Sequence, residues 1–183
     1  MILEKVVIGI AIFVSYFFQT SVDFFALGKI KPDFLLILAL YFGLYKGSFT
    51  ALWIGFWGGL LQDINLGGFM NLAKNEIQFY IGTSALPKTL LGYLAGKFSH
   101  NINKEATMLV VIVVFVASLS KGIITFFIVA IFHQGVQPQA IIRIVLPEAL
   151  YTAALSVVWF RILRWAFPIV EKTSENEVIR RFK

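Results

Sequence analysis

Residues 34–62 read FLLILALYFGLYKGSFTALWIGFWGGLLQ, an apolar run of 29 residues interrupted by one charge, Lys46. As one straight helix it would be about 44 Å long, whereas the hydrocarbon core of a bilayer is about 30 Å thick. The run therefore reads as two helices joined at Tyr45-Lys46-Gly47-Ser48. The first of them, at about 20 Å, is short for a membrane. It has to thin the bilayer, sit beneath its neighbours, or begin within the Lys31-Pro32 segment.

Four more spans lie on either side. Val6 to Val22 is free of charge and gives a first helix ending near Leu27. The run is long for a secretory signal and no small-x-small cleavage site follows, so it is expected to stay in the mature protein. Asn65 to Glu76 carries Gly67, Gly68, Asn71 and Asn75 and reads as a loop with a short surface helix. Ile77 to Gly96 gives a fourth span, kinked at Pro87, since proline lacks the backbone donor and collides with the preceding turn. Ala106 to His133 gives a fifth, holding one charge, Lys121, and a sixth runs from about Ala140 to Ala166 through Arg143, Pro147 and Glu148. The expected fold class is an all-α integral membrane protein, a six-transmembrane-helix bundle over residues 1–167, followed by a short polar cytoplasmic tail over 168–183.

Composition agrees with the spans. The chain has 183 residues, 58% hydrophobic and 14% charged, where an ordinary soluble domain is about 45–50% apolar and about 25% charged. No length remains for a separate soluble domain. The absence of cysteine excludes disulfides, iron–sulfur clusters and cysteine-based zinc sites. The net charge of +6 belongs to loops that orient the chain and not to nucleic-acid binding. Ten basic residues fall on the face holding the N-terminus, the second and fourth loops and the C-terminus: Lys5, Lys46, Lys97, Lys104, Arg161, Arg164, Lys172, Arg180, Arg181 and Lys183. Lys29, Lys31, Lys74 and Arg143 fall on the opposite face, and Lys88 and Lys121 lie inside spans. That bias places both termini in the cytoplasm.

Two sets of residues inside the spans bear on function. Gly43 with Gly47, Gly55 with Gly59, and Gly92 with Gly96 are spaced four apart. Such pairs put two glycines on one helix face, where another backbone can approach closely. They serve packing within the bundle or docking of a partner's transmembrane helix, and Gly55, Gly58 and Gly59, beside Trp53 and Trp57, form the barest stripe. The second set is Lys88, Lys121 and Glu148, each about 15–18 Å down its own span by helical rise. Ionisable groups at that depth are costly and pair with one another. Glu148 is expected to pair with Lys121 or Lys88, with Asp63 as a second acid nearer the surface; the alternative is that both lysines snorkel and Asp63 sits in the loop.

Enzyme signatures are missing. The sequence has no phosphate-binding loop, no His-Glu-x-x-His and no Gly-x-Ser-x-Gly elbow, and neither His100 nor His133 has an acid or nucleophile at ligand spacing. His100 reads as an interfacial loop residue, His133 as a helix-end residue, and Asp23 as a cap or ion-pair partner at the end of the first span. No metal or cofactor is expected.

One block of sequence points further. Pro32-Asp33-Phe34-Leu35-Leu36, then Tyr41-Phe42-Gly43-Leu44-Tyr45-Lys46-Gly47-Ser48, then Gly55-Phe56-Trp57-Gly58-Gly59-Leu60-Leu61-Gln62-Asp63, resembles the bacterial rod shape-determining MreD family in order and spacing. Pro147-Glu148 and Tyr151-Thr152 are loosely similar to that family's last helix. The resemblance implies a non-catalytic subunit of the elongation complex that builds the lateral wall. It implies a partner, MreC, and through it MreB and the peptidoglycan synthase pair. It implies a fold similar to the S-components of energy-coupling-factor transporters, six helices around a small cavity. Pro32, Asp33, Gly55, Gly58, Gly59 and Asp63 match as motif residues, and the glycine stripe is suited to receive MreC's single span. The competing reading is a solute-binding membrane subunit of an energy-coupling-factor-like transporter, with a pocket at Lys88, Lys121 and Glu148. Binding of a lipid-linked precursor is a third.

Overall fold

A computed structural model describes residues 2–21, 25, 30–66, 68–71, 76–79, 82–102, 106–132 and 141–167. Among them are six α-helices: α1 (Ile2–Ser21), α2 (Phe34–Lys46), α3 (Ser48–Leu66), α4 (Ala85–Phe98), α5 (Thr107–Phe132) and α6 (Leu146–Ala166). The segments spanning Thr107–Ile131 and Arg143–Ala166 are each long and apolar enough to cross a membrane. The run that decides the fold divides where expected. Gly47 sits between α2 and α3 at φ 104° and ψ 172°, a conformation open essentially to glycine alone, and its amide caps α2 on the carbonyls of Phe42 and Gly43.

α2 is the axis of the bundle. Every residue from Phe34 to Tyr45 is buried, the state expected of a helix that is apolar around its whole circumference. Helices α1, α3, α4 and α6 pack around it, and α5 closes on α6. At one end of α2, Phe34 lies 4.6 Å from Trp159 and 5.3 Å from Phe25 between ring centroids; further along, Tyr41 meets Phe160 at 5.3 Å. The short length of α2, 13 residues, is thus accommodated by placing it under its neighbours.

Elsewhere the structure departs from expectation in three places. The segment after α3 forms an antiparallel hairpin, β1 (Gly68–Asn71) with β2 (Glu76–Phe79), paired from Gly68 opposite Phe79 to Asn71 opposite Glu76. Among the described residues of that segment no surface helix is present, and Ile77, assigned above to the fourth span, belongs to β2. Helix α4 begins only at Ala85, so Pro87 is its third residue and not its middle. A first-turn amide has no helical acceptor to lose, so Pro87 breaks no hydrogen bond within the helix. Before α6, residues Ile141–Val145 form a π-helical turn. Pro147 follows two residues after it, and such widening is one way a helix accommodates a proline that cannot bond backward. Asp23, Lys29, Lys74, His133 and the tail 168–183 lie outside the described residues. His100 is exposed in a short 3₁₀ turn, Ser99–Asn101.

Candidate functional site: a buried ion network at the start of helix α2

The N-terminus of α2 is buried, so its free amides need partners from side chains. Asp33, the N-cap, accepts from the Leu36 amide at 2.9 Å. The Asp33 amide donates to Thr152 Oγ1 of α6 at 3.2 Å, and the Leu35 amide donates to Gln19 Oε1 of α1, also at 3.2 Å. Two other helices, α1 and α6, thus converge on the first turn of α2. Pro32, also buried, fixes the backbone just ahead of the cap.

Asp33 is also the centre of the charge network. Its Oδ1 lies 3.0 Å from Lys88 Nζ of α4, and its Oδ2 lies 3.1 Å from Lys121 Nζ of α5. Lys121 bridges onward to Glu148 of α6, and Lys88 donates to Gln62 Oε1 of α3. The two lysines and two carboxylates balance formally, the condition under which charges survive away from water. Lys88 is fully buried, whereas Glu148 retains 22% of its side-chain exposure. The network therefore opens toward the surface at its α5–α6 side, where Lys121 keeps 12% of its exposure, and is closed at Asp33 and Lys88.

This arrangement keeps part of the expected pairing and changes its centre. Glu148 does meet Lys121. Lys88 goes to Asp33, a residue read above as motif and not as an ion partner. Neither lysine is placed by snorkelling alone. The overlooked signal was the position of Asp33 immediately before an apolar run, the signature of an N-cap. Combined with the burial that such a run demands, it requires cationic partners.

Asp63 has another role. Buried at the end of α3, its Oδ1 accepts from the Ser84 amide at 2.7 Å, and its Oδ2 accepts from Gly82 at 2.8 Å and Ala85 at 3.1 Å. It is a carboxylate seated on the N-terminus of α4, where orphan amides and the helix dipole favour negative charge. It belongs neither to the lysine network nor to a free loop.

The glycines correct the expectation of an open docking stripe. A Cβ on Gly55 would lie 2.5 Å from the Lys88 carbonyl oxygen, and one on Gly59 would lie 2.4 Å from Ala85 Cα. On α4, a Cβ on Gly92 would lie 2.9 Å from the Ala51 carbonyl oxygen, and one on Gly96 2.3 Å from Ser48 Cα. A Cβ on Gly43 of α2 would lie 3.0 Å from the Gly92 carbonyl oxygen and 3.1 Å from the Gly96 amide nitrogen. Helices α3 and α4 thus run antiparallel in backbone contact, with small residues meeting at each turn. A Cβ on Gly58 would lie 3.0 Å from Leu35 Cδ2, and Gly47 is the residue between α2 and α3. The face that glycine opened is already filled by α4, because α4 carries the complementary set of small residues.

Among the described residues, no group of three or more His, Asp or Glu side chains is placed to hold a metal. The ionised side chains at the start of α2 are engaged with one another and with α2 itself. What they do chemically is fix four helices about one helix end.

No curated protein and no solved structure matches the chain. Residues 1–166 match the family model of rod shape-determining protein MreD. That is nearly the whole of the bundle, including both ends of the ion network. With the resemblance carried by residues 32–63 now joined by a match across all six helices, the chain belongs to the MreD family of membrane proteins, which act in the rod-shape complex.

Proposed function

We propose that this MreD-family protein is a non-enzymatic, multi-pass subunit of the rod complex. It has six spans and cytoplasmic termini, and it binds MreC and through it influences MreB, the peptidoglycan synthase pair and lateral wall synthesis. The observation that carries this reading is the contrast between inside and outside. Within, Asp33, Lys88, Lys121 and Glu148 satisfy one another. Outside, large apolar side chains such as Phe13, Trp53, Trp57, Phe127 and Val158 are exposed, a surface suited to lipid and to partner helices. Orientation is supported by the shared end of the bundle at which Lys5, Lys46, Lys97, Arg161 and Arg164 lie. The proposed fold is similar to that of the energy-coupling-factor S-components, and the burial of α2 in the middle of the bundle favours a subunit over a carrier, which would need that space for a solute.

We assign the MreC span to the groove between α1 and α3. Its volume is about 630 Å³, and Trp53 and Trp57 form one wall. Across from them Gly9 is exposed, and a Cβ there would meet nothing within 4 Å. A concave apolar surface with a bare glycine admits a single helix closely. The test is co-purification of MreC from membranes. Wild-type protein retains it, W53A/W57A and Gly9→Leu lose most of it, and L150A/V158A on α6 keep it. Failure of wild-type protein to retain MreC overturns the function; equal retention by all variants overturns the groove.

A further inference from the structure

A cleft of about 270 Å³ opens between the first turns of α5 and the last turns of α6. Its chemistry is divided along its length. Val110, Val157 and Phe160 give it apolar walls, and Thr107, Arg161 and Arg164 give it a polar mouth. Arg161 and Arg164 are three apart on one helix and so share a face. Arg164 is held in place: its guanidinium donates to the Tyr45 hydroxyl at 2.8 Å and lies 5.8 Å from the centre of the Tyr45 ring. Both arginines remain exposed to the cleft side of the helix end. Trp165, 84% exposed between these last turns and the chain end of α6, is the residue type that settles at the membrane–water boundary. It sets the level of the arginines at that boundary and the level of Val157 about 6 Å deeper, by helical rise.

We propose that this cleft binds an anionic phospholipid from the leaflet at the basic end of the bundle. The phosphate headgroup lies against Arg161 and Arg164, and an acyl chain lies along Val110, Val157 and Phe160. Three features favour this occupant over others. Paired guanidiniums match phosphate oxygens in fork geometry. The N-terminus of α5 adds positive potential at Thr107. The apolar walls begin directly beneath the charge, as a lipid's chains begin beneath its headgroup. A free phosphate would use the mouth and leave the walls uncovered. The proposal rests on the membrane setting of the family and is independent of which protein partner is bound.

The experiment titrates the detergent-purified full chain with short-chain phosphatidylglycerol, phosphatidylcholine or inorganic phosphate, following bound species by native mass spectrometry and the thermal midpoint. Phosphatidylglycerol is expected to bind and raise the midpoint, with neither of the others doing so at equal concentration. Arg161→Gln should weaken phosphatidylglycerol binding about fivefold or more. Val157→Trp, which fills the cleft without touching charge, should weaken it comparably. Both positions are exposed, so the variants are expected to fold, and their midpoints without lipid check this. Equal binding of the two lipids, an unaffected Arg161→Gln, or full binding by Val157→Trp overturns the proposal. An equal effect of inorganic phosphate also overturns it, reducing the site to an anion at the mouth.

Discussion

Lys121 of α5 and Asp33 at the cap of α2 meet at 3.1 Å across 88 residues of sequence. That contact, with the 3.0 Å pair between Asp33 and Lys88, joins the start of the central helix to the two helices that carry the lysines. In lipid the hydrophobic effect gives no preference for one apolar helix over another as the axis. The ion network supplies the preference, because among the described residues only the start of α2 brings a carboxylate to meet both lysines.

The first prediction concerns that network. Asp33→Asn leaves Lys88 fully buried without its acid and should cost about 3–5 kcal/mol. The loss is read as a large drop in thermal midpoint in detergent, and D33N/K88M should recover part of it. An unchanged midpoint for Asp33→Asn would remove Asp33 from the centre of the network.

Glu148→Gln should be milder. Lys121 retains Asp33, and Glu148 is partly exposed, so the loss is about 1–2 kcal/mol, that of a single charge-assisted hydrogen bond discounted for solvent. A fall as large as that of Asp33→Asn would make Glu148 and not Asp33 the principal acid.

Asp63→Ala removes the acceptor for three amides at the start of α4. The expected loss is about 2 kcal/mol, the upper range for an N-cap. Hydrogen exchange should locate it: the amides of Gly82, Ser84 and Ala85 exchange faster while those of α2 keep their protection. Uniform loss of protection would mean that Asp63 holds the whole bundle and not one helix end.

Gly55→Leu and Gly59→Leu should abolish folding itself and not merely partner binding, since each side chain would run into the backbone of α4. Size-exclusion chromatography of the extracted protein should show aggregation. Gly9→Ala, with open space around it, should elute as wild type. A monodisperse Gly55→Leu protein that has lost only MreC would return the docking face to α3.

Much of this was legible in the sequence because length and apolarity act locally. The break at Gly47, the span of α5 and the burial-prone character of Phe34 to Tyr45 follow from residue patterns alone. The hairpin at 68–79 and the late start of α4 did not follow. Each strand takes its backbone partners from the other strand, and the Asp63 cap that fixes Ala85 as a helix start comes from the preceding helix. The pairing of Lys88 was missed for a similar reason. Helical rise gave depths along separate spans, but not which spans are neighbours.

The glycines mark the boundary most clearly. Spacing by four established that α3 and α4 each present a bare face, since that follows from the helical period. Whether the bare face of α3 receives a partner or a helix of the same chain depends on which surface is available at closest approach. Gly55 and Gly59 meet Lys88 and Ala85 because α4 offers small residues in matching antiparallel register. The sequence by itself determined a membrane bundle, its family resemblance, a two-part central run and an end rich in basic residues. Only the tertiary structure decided that α2 is the axis, that Asp33 is the hub and that α4 occupies the glycine face. These are contacts between segments far apart in the chain, fixed by close packing and by buried charge seeking its counter-charge.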